Sequence, residues 1–204
     1  MKRLAQRRKP SPNPSRKREG DRSRLPGTPT LENQIARMIR VNHAGEFGAQ
    51  RIYAGQLAVL GKDAKNAKSL RAIEKMARQE DEHLAAFEKL IVEKNARPTA
   101  LHPLWHLAGY ALGAVTAALG EKAAMACTVA VEETIVAHYQ NQLARLAESG
   151  EPALHKLISR FCADEDEHRK SGLDHGAEDL PYYPLLRALI RAGSKTAIWL
   201  SERV

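Results

Sequence analysis

Glu80-Asp81-Glu82-His83 is the stretch of sequence that decides the fold, because the same four residues return as Glu165-Asp166-Glu167-His168. Each copy contains a glutamate and a histidine three residues apart, and positions i and i+3 of an α-helix lie on one face. Each Glu-x-x-His pair can therefore hold one metal ion. One pair alone is a weak signal, whereas two copies in one chain predict a shared site.

Two further glutamates complete the pattern. Glu46 precedes Glu80 by 34 residues, and Glu132 precedes Glu165 by 33. Both lie in apolar stripes that recur every three to four positions, so both face the core side of a helix. A glutamate from each of two helices, with Glu-x-x-His from each of the other two, is the ligand set of a di-metal four-helix bundle. The predicted metal ligands are Glu46, Glu80, His83, Glu132, Glu165 and His168.

The apolar spacing predicts long helices over about 31–60, 65–92, 121–148 and 153–175. The first two helices resemble the last two, and Tyr53 and Tyr139 each follow a predicted glutamate ligand by seven residues. We therefore predict an all-α four-helix bundle built from two similar hairpins. Buried carboxylates need a counter-charge, and the core stripes contain no Lys or Arg, so a metal is favoured over internal salt bridges.

The net charge of +8 belongs to the N-terminal residues. Residues 1–30 hold ten Lys or Arg, two acids and five prolines, which leaves 22 basic and 22 acidic residues in 31–204. Such a stretch is too polar to fold alone. We predict a disordered, basic, Pro-rich tail over 1–30 and one domain over 31–204, with no nucleic-acid partner.

Two segments outside the four helices suggest a lipid surface. Residues 103–119 contain no Asp, Glu, Lys or Arg, and are at the lower length limit of a spanning helix. They fit a membrane-dipping or groove-forming helix, with a buried core helix as the alternative. The last helix, after Pro184, is basic and amphipathic with Trp199, which indicates either binding at a membrane surface or packing on the bundle.

Residues beside the predicted ligands are secondary candidates. His138 and Tyr139 follow Glu132 by six and seven residues, and either can orient a ligand or meet substrate. His43, three residues before Glu46, has no counterpart in the second half and is expected to lie outside the ligand set. Cys127 and Cys162 are expected to be small helical core residues.

Mixed carboxylate and imidazole ligation favours Fe or Mn over structural zinc. Three classes of protein remain open at this point. An oxygen-using enzyme explains the apolar segments, a ferritin-like iron-storage protein does not need them, and a metal-free scaffold or lipid-binding bundle would purify without metal. A rubrerythrin-like peroxidase would require a Cys-x-x-Cys module, which the sequence lacks.

Several longer runs resemble one known family, the demethoxyubiquinone hydroxylases of ubiquinone biosynthesis. The likeness extends from about residue 33 to the C-terminus. It is carried by Arg40-Val41-Asn42-His43-Ala44-Gly45-Glu46, Arg51-Ile52-Tyr53-Ala54-Gly55-Gln56, Ala124-Met125-Ala126-Cys127-Thr128, Gly172-Leu173-Asp174-His175 and Leu200-Ser201-Glu202-Arg203.

The resemblance implies a ferritin-like di-iron monooxygenase, with two Fe ions on the six residues named above. It implies hydroxylation of a polyprenylated demethoxyubiquinol with dioxygen and two electrons, and a route between substrate and iron lined by His138 and Tyr139. It also implies a peripheral membrane protein, on the cytoplasmic face of a bacterial cell membrane or the matrix face of the mitochondrial inner membrane. Other ubiquinone-biosynthesis proteins are candidate partners.

Overall fold

The described part of the chain contains six α-helices. A computed structural model describes residues 29–62 and 64–204, so the predicted tail lies outside it except for its last two residues. The helices are α1 (Leu31–Leu60), α2 (Ala67–Glu93), α3 (His102–Ala118), α4 (Glu121–Leu146), α5 (Pro152–Asp174) and α6 (Tyr183–Ser201). The described part contains no strand. The all-α prediction is therefore confirmed, with helix ends within two residues of those expected.

The duplication seen in the sequence extends to a third helix in each half. α1 pairs with α2, and α4 pairs with α5, as the hairpin prediction requires. In addition, α3 packs against α1, and α6 packs in the same way against α4. Each half is thus a three-helix unit whose third helix folds back onto its first.

Glycines allow α3 to lie unusually close to α1. A Cβ added at Gly113 would overlap the carbonyl oxygen of Ile52, and one added at Gly55 would overlap that of Tyr110. At Gly109 the added Cβ would lie 2.9 Å from the carbonyl oxygen of Gly48. These small residues permit direct contact between the two helix backbones.

The outer face of α3 is apolar and exposed. Leu107 has 68% of its surface exposed, and Leu104, Val115 and Leu119 are also exposed. The alternative of a buried core helix is therefore wrong, because only the small-residue face of α3 is buried. Among the described helices, none combines the length and the apolar character needed to cross a membrane.

The structure confirms one of the two interpretations of the last helix, because α6 packs on the bundle. Arg187 donates two hydrogen bonds to the carboxylate of Glu133 on α4, so its basic side takes part in packing on the bundle. Leu185, Leu189 and Trp199 are exposed. The helix therefore uses its charges for docking and leaves apolar side chains at the surface.

Two apolar clusters lie at opposite ends of the bundle, and the predicted ligands lie between them. One cluster includes Ile73, Met76 and Met125. The other includes Ile39, Phe87 and Ile158. Along every one of the four long helices, the candidate ligands come between members of these two clusters, so they share one polar layer near mid-helix.

Candidate metal centre

The six predicted ligands meet in the core of the bundle. None of them is more than 2% exposed. They form two groups in which one ligand atom from each residue lies within 4.8 Å of the others. The first group is Glu46, Glu80, His83 and Glu165, and the second is Glu80, Glu132, Glu165 and His168. Glu80 and Glu165 belong to both groups, as two bridging carboxylates would.

The Nδ1 atoms of both histidines face the carboxylates. His83 Nδ1 lies 3.0 Å from Glu165 Oε1 and 3.4 Å from Glu46 Oε2. His168 Nδ1 lies 3.0 Å from Glu165 Oε2 and 3.2 Å from Glu80 Oε1. Glu165 therefore lies between the two imidazoles, each of which offers the same ring nitrogen to the centre.

The donor atoms fit a cation. Buried oxygens of Glu46, Glu80 and Glu132 have no hydrogen-bond partner. No Lys or Arg side chain is buried in the described part of the chain, so neither residue type neutralises these carboxylates. Unpaired buried charges are costly, and oxygen with imidazole donors suits ions such as Fe or Mn. The buried Glu and His groups can therefore bind metal.

The pKa values show how strongly the site needs positive charge. Burial raises the pKa of Glu80 well above its usual range, and the neighbouring carboxylates of Glu165 and Glu46 raise it further. Burial opposes ionisation of Glu165 as well, but hydrogen bonds with His168 and His83 bring its pKa down to about 2. Burial lowers the pKa of His83, but the neighbouring carboxylates of Glu165 and Glu46 outweigh it and raise the pKa to about 10.

Two tyrosines hold the two unshared glutamates. The phenol of Tyr53 donates to Glu132 Oε1 at 2.7 Å, and the phenol of Tyr139 donates to Glu46 Oε1. Each tyrosine reaches across to the other half of the molecule. Burial, followed by the nearby carboxylates, raises both phenol pKa values well above 10, so both phenols keep their protons.

The imidazole of His138 contacts Gln142 and none of the six predicted ligands. The side-chain amide of Gln142 donates to His138 Nε2 at 2.7 Å. Gln142 also exchanges two 2.8 Å hydrogen bonds with Asn42, which fixes the amide. Burial lowers the pKa of His138 to about 4 and Arg145 lowers it in the same direction, so the imidazole is neutral.

Sequence reasoning missed two residues that contact the histidines from outside. Asp164 Oδ2 lies 3.2 Å from His83 Nε2, and Gln79 Oε1 lies 3.3 Å from His168 Nε2. Each stands immediately before the glutamate of a Glu-x-x-His pair. That equivalent position in the two repeats is the signal that would have drawn attention to them.

The other candidates lie outside the centre. His43 is buried and its ring stacks on that of His102 at 5.2 Å, and it belongs to neither group of ligands. Asp166 pairs with Arg169 and Lys170. Cys127 is buried and Cys162 is partly buried, and both are free thiols.

An apolar cavity of about 330 Å³ lies among α1, α3, α4 and α6. Its wall includes Gly45 and Val131, the sequence neighbours of Glu46 and Glu132. Its wall on α3 and α6 includes Trp105 and Ser201, which share a hydrogen bond of 3.0 Å. The cavity is therefore bounded both by residues beside the candidate ligands and by the surface helices α3 and α6.

A helical bundle with two groups of buried Glu and His able to hold metal belongs to the class of ferritin-like helical bundles. A family model described as "Ubiquinone biosynthesis protein COQ7" matches residues 33–201. The chain belongs to this family of ubiquinone biosynthesis proteins, which confirms the resemblance noted in the sequence.

Three relatives show how widely the likeness extends. A 3-demethoxyubiquinol 3-hydroxylase of Rhodospirillum rubrum is 54% identical over 89% of this chain and 84% of its own length. A mitochondrial NADPH-dependent 3-demethoxyubiquinone 3-hydroxylase of Mus musculus is 50% identical over 85% of this chain and 82% of its own. A mitochondrial 5-demethoxyubiquinone hydroxylase of Saccharomyces cerevisiae is 35% identical over 83% of this chain and 78% of its own length.

Proposed function

We propose that this chain is a 3-demethoxyubiquinol 3-hydroxylase, a monooxygenase of ubiquinone biosynthesis. It would add a hydroxyl group to the ring of a polyprenylated demethoxyubiquinol, with dioxygen and two electrons. The observation that carries the proposal is the buried set of four glutamates and two histidines, in a chain 54% identical to a bacterial hydroxylase of that name. The relatives' names favour hydroxylation over the iron-storage alternative.

The proposed cofactor is a pair of Fe ions, one for each group of ligands, with Glu80 and Glu165 shared. When bound, the two ions supply the reduction of dioxygen, which no side chain performs. The chain contributes a dry cavity and fixed ligands. Tyr53 and Tyr139 hold Glu132 and Glu46 in place through their phenol protons.

His138 and Tyr139 are proposed to line the route between substrate and metal. Tyr139 is the better supported, because its phenol contacts a candidate ligand directly. His138 is neutral and accepts a hydrogen bond from Gln142. Protonation of His138 would set its new N–H against the amide N–H of Gln142, so the imidazole is suited to accept a hydrogen bond and unsuited to carry charge.

The apolar cavity is the proposed site of the substrate. A polyprenylated quinol is large and apolar except at its ring, and ligand sites of that kind are apolar with few polar groups. The wall next to Glu46 and Glu132 would receive the ring. The part between α3 and α6 would receive the prenyl chain, and both of these helices carry exposed leucines.

The same leucines support peripheral binding to a membrane, on the cytoplasmic face of a bacterial cell membrane or on the mitochondrial matrix face. Liposome flotation of the full chain tests this. The double variant Leu107→Ser and Leu189→Ser should float less, because both side chains are more than 60% exposed on the proposed face. Val92→Ser on α2 is the control, since Val92 is even more exposed than the two leucines. Equal flotation of all three proteins would contradict the membrane proposal.

The mouse relative is named as NADPH-dependent, so NADPH is the first electron donor to test. Aerobic reactions with purified metal-loaded chain, demethoxyubiquinol and NADPH should form the hydroxylated quinol. Omission of NADPH should limit the yield to the electrons held by the loaded metal. Undiminished multiple turnover without NADPH would show that the quinol itself supplies the electrons.

Complementation tests the activity as a whole. A ubiquinone-deficient hydroxylase mutant should regain ubiquinone with the wild-type chain and not with Glu132→Ala or His168→Ala. Asp166→Asn is a matched control, because it removes a carboxylate of the same layer that pairs only with Arg169 and Lys170. If the wild type fails, or if the ligand variants succeed equally well, the proposed function is wrong.

A further inference from the structure

The two halves of the metal centre match residue by residue, with one difference in charge. Glutamate matches glutamate, histidine matches histidine, and each half sends a tyrosine to the other. Asp164 and Gln79 occupy equivalent positions, and each contacts the Nε2 atom of the opposite half's histidine, at 3.2 and 3.3 Å. One histidine therefore meets a carboxylate, and the other meets a neutral amide.

We propose that Asp164 and Gln79 are positioning residues that make the two metal positions unequal. The position with His83 would bind a divalent ion more tightly, and stabilise its oxidised form more strongly, than the position with His168. This inference rests on the proposed di-metal centre. It adds that the centre is asymmetric and names the pair of residues responsible.

The two imidazoles have the same orientation towards the centre. Nδ1 of each ring faces the carboxylates. With a metal ion bound at Nδ1, Nε2 would carry the proton and donate outward. An acceptor at Nε2 fixes this tautomer and raises the basicity of the ligating nitrogen. A carboxylate does so more strongly than an amide oxygen, because it adds a full negative charge and forms a charge-assisted hydrogen bond.

Other neighbours of the two rings do not cancel this difference. Phe161 stacks on His83 with ring centroids 3.9 Å apart, and Tyr53 lies edge-on to His168 at 6.4 Å. Both are uncharged. Asp164 is 28% exposed, so its charge is partly screened by water, yet its contact with Nε2 is direct. Loss of such outer partners typically costs about 10–100-fold in metal affinity.

Cobalt(II) titration of single-position proteins tests the inference without using activity. His168→Ala leaves the position of His83, and His83→Ala leaves the position of His168. The cobalt(II) affinity of the His168→Ala protein should be higher than that of the His83→Ala protein by a factor of about 10 or more. Adding Asp164→Asn to the His168→Ala protein should weaken its cobalt(II) binding by about that factor. Adding Gln79→Glu to the His83→Ala protein should strengthen its cobalt(II) binding. Asp164→Asn should not change the cobalt(II) affinity of the His83→Ala protein, and Gln79→Glu should not change that of the His168→Ala protein.

Asp166→Asn is the control for charge, because it removes a carboxylate from the same helix that touches neither histidine. A second measurement keeps all six ligands. Mössbauer spectra of the full chain loaded with ⁵⁷Fe(II) should show two distinct quadrupole doublets. Asp164→Asn should bring them closer together, and Asp166→Asn should not. Circular dichroism verifies that each variant is folded.

The outcomes separate the two proposals. Equal cobalt(II) affinity of the two single-position proteins would overturn the inference and leave the proposed function intact. The inference would also be overturned, with the proposed function intact, if Asp164→Asn lowers the cobalt(II) affinity no more than Asp166→Asn does. If the wild-type chain binds neither cobalt(II) nor Fe(II), the di-metal centre and the proposed function both fall.

Discussion

Replacing Gly113 by alanine tests whether the close contact between α3 and α1 is essential. The added Cβ would overlap the carbonyl oxygen of Ile52 and lie 2.8 Å from its carbonyl carbon, where ordinary contacts begin at 3.4 Å. Because the obstacle is backbone, no side chain can rotate away. The two helices must separate, and the wall of the apolar cavity must move with them.

The net effect on stability is the difference of two terms. Overpacking costs about 1–3 kcal/mol, and a backbone obstacle places this case at the upper end. Alanine in place of glycine stabilises a helix by about 1 kcal/mol. The expected net loss is about 2 kcal/mol, which lowers the melting temperature by about 4–8 °C for a domain of this size.

Gly193→Ala on α6 is the matched control, because its added Cβ would have no neighbour within 4 Å. This variant should gain about 1 kcal/mol and melt about 2–4 °C higher than the wild type. Thermal unfolding of full-length proteins in the same metal state, followed by circular dichroism, measures both. If Gly113→Ala melts at or above the wild-type temperature, the close backbone contact is not as described.

Three further predictions concern pH, metal and substrate. His138 has a pKa of about 4 when folded and about 6.5 when unfolded, so the unfolded chain takes up a proton as pH falls between these values. His138 should therefore contribute on the order of 3 kcal/mol to the loss of wild-type stability between pH 7 and 4, and denaturant titrations of His138→Gln should lack this contribution. Anaerobic Fe(II) at 100 times its Kd should stabilise the apo chain by about 2.7 kcal/mol for each independent site, and calorimetry of Glu165→Gln, which lacks a shared ligand, should show little of this gain. Gly48→Leu fills a space where an added Cβ meets nothing, so it should raise the KM for the quinol about 10-fold or more without changing metal content, and an unchanged KM would place the substrate elsewhere.

The candidate ligands could be predicted from sequence because helical geometry is local. Spacings of three and four residues place Glu80 with His83, and Glu165 with His168, on one face whatever the tertiary structure. The match between the halves then located Glu46 and Glu132. The same comparison paired Tyr53 with Tyr139, and the structure shows each phenol donating to a glutamate of the opposite half.

Contacts that depend on how helices cross could not be predicted in this way. Asp164 and Gln79 reach histidines on another helix, and only the approach of α2 to α5 brings them together. The equivalence of α3 and α6 was also missed, because one is nearly uncharged and the other is basic. The glycines of α3 form its contact surface with α1, and helical spacing alone does not show which helix they face.

Shared ligands also constrain the order of assembly. Each group takes three ligands from one half of the chain and a fourth from the other, and each half supplies the tyrosine that holds the opposite glutamate. Neither three-helix unit alone can offer a complete coordination sphere. In the proposed metal centre, metal uptake would therefore follow the synthesis and docking of both units, and a truncated chain ending before α4 would remain unmetallated.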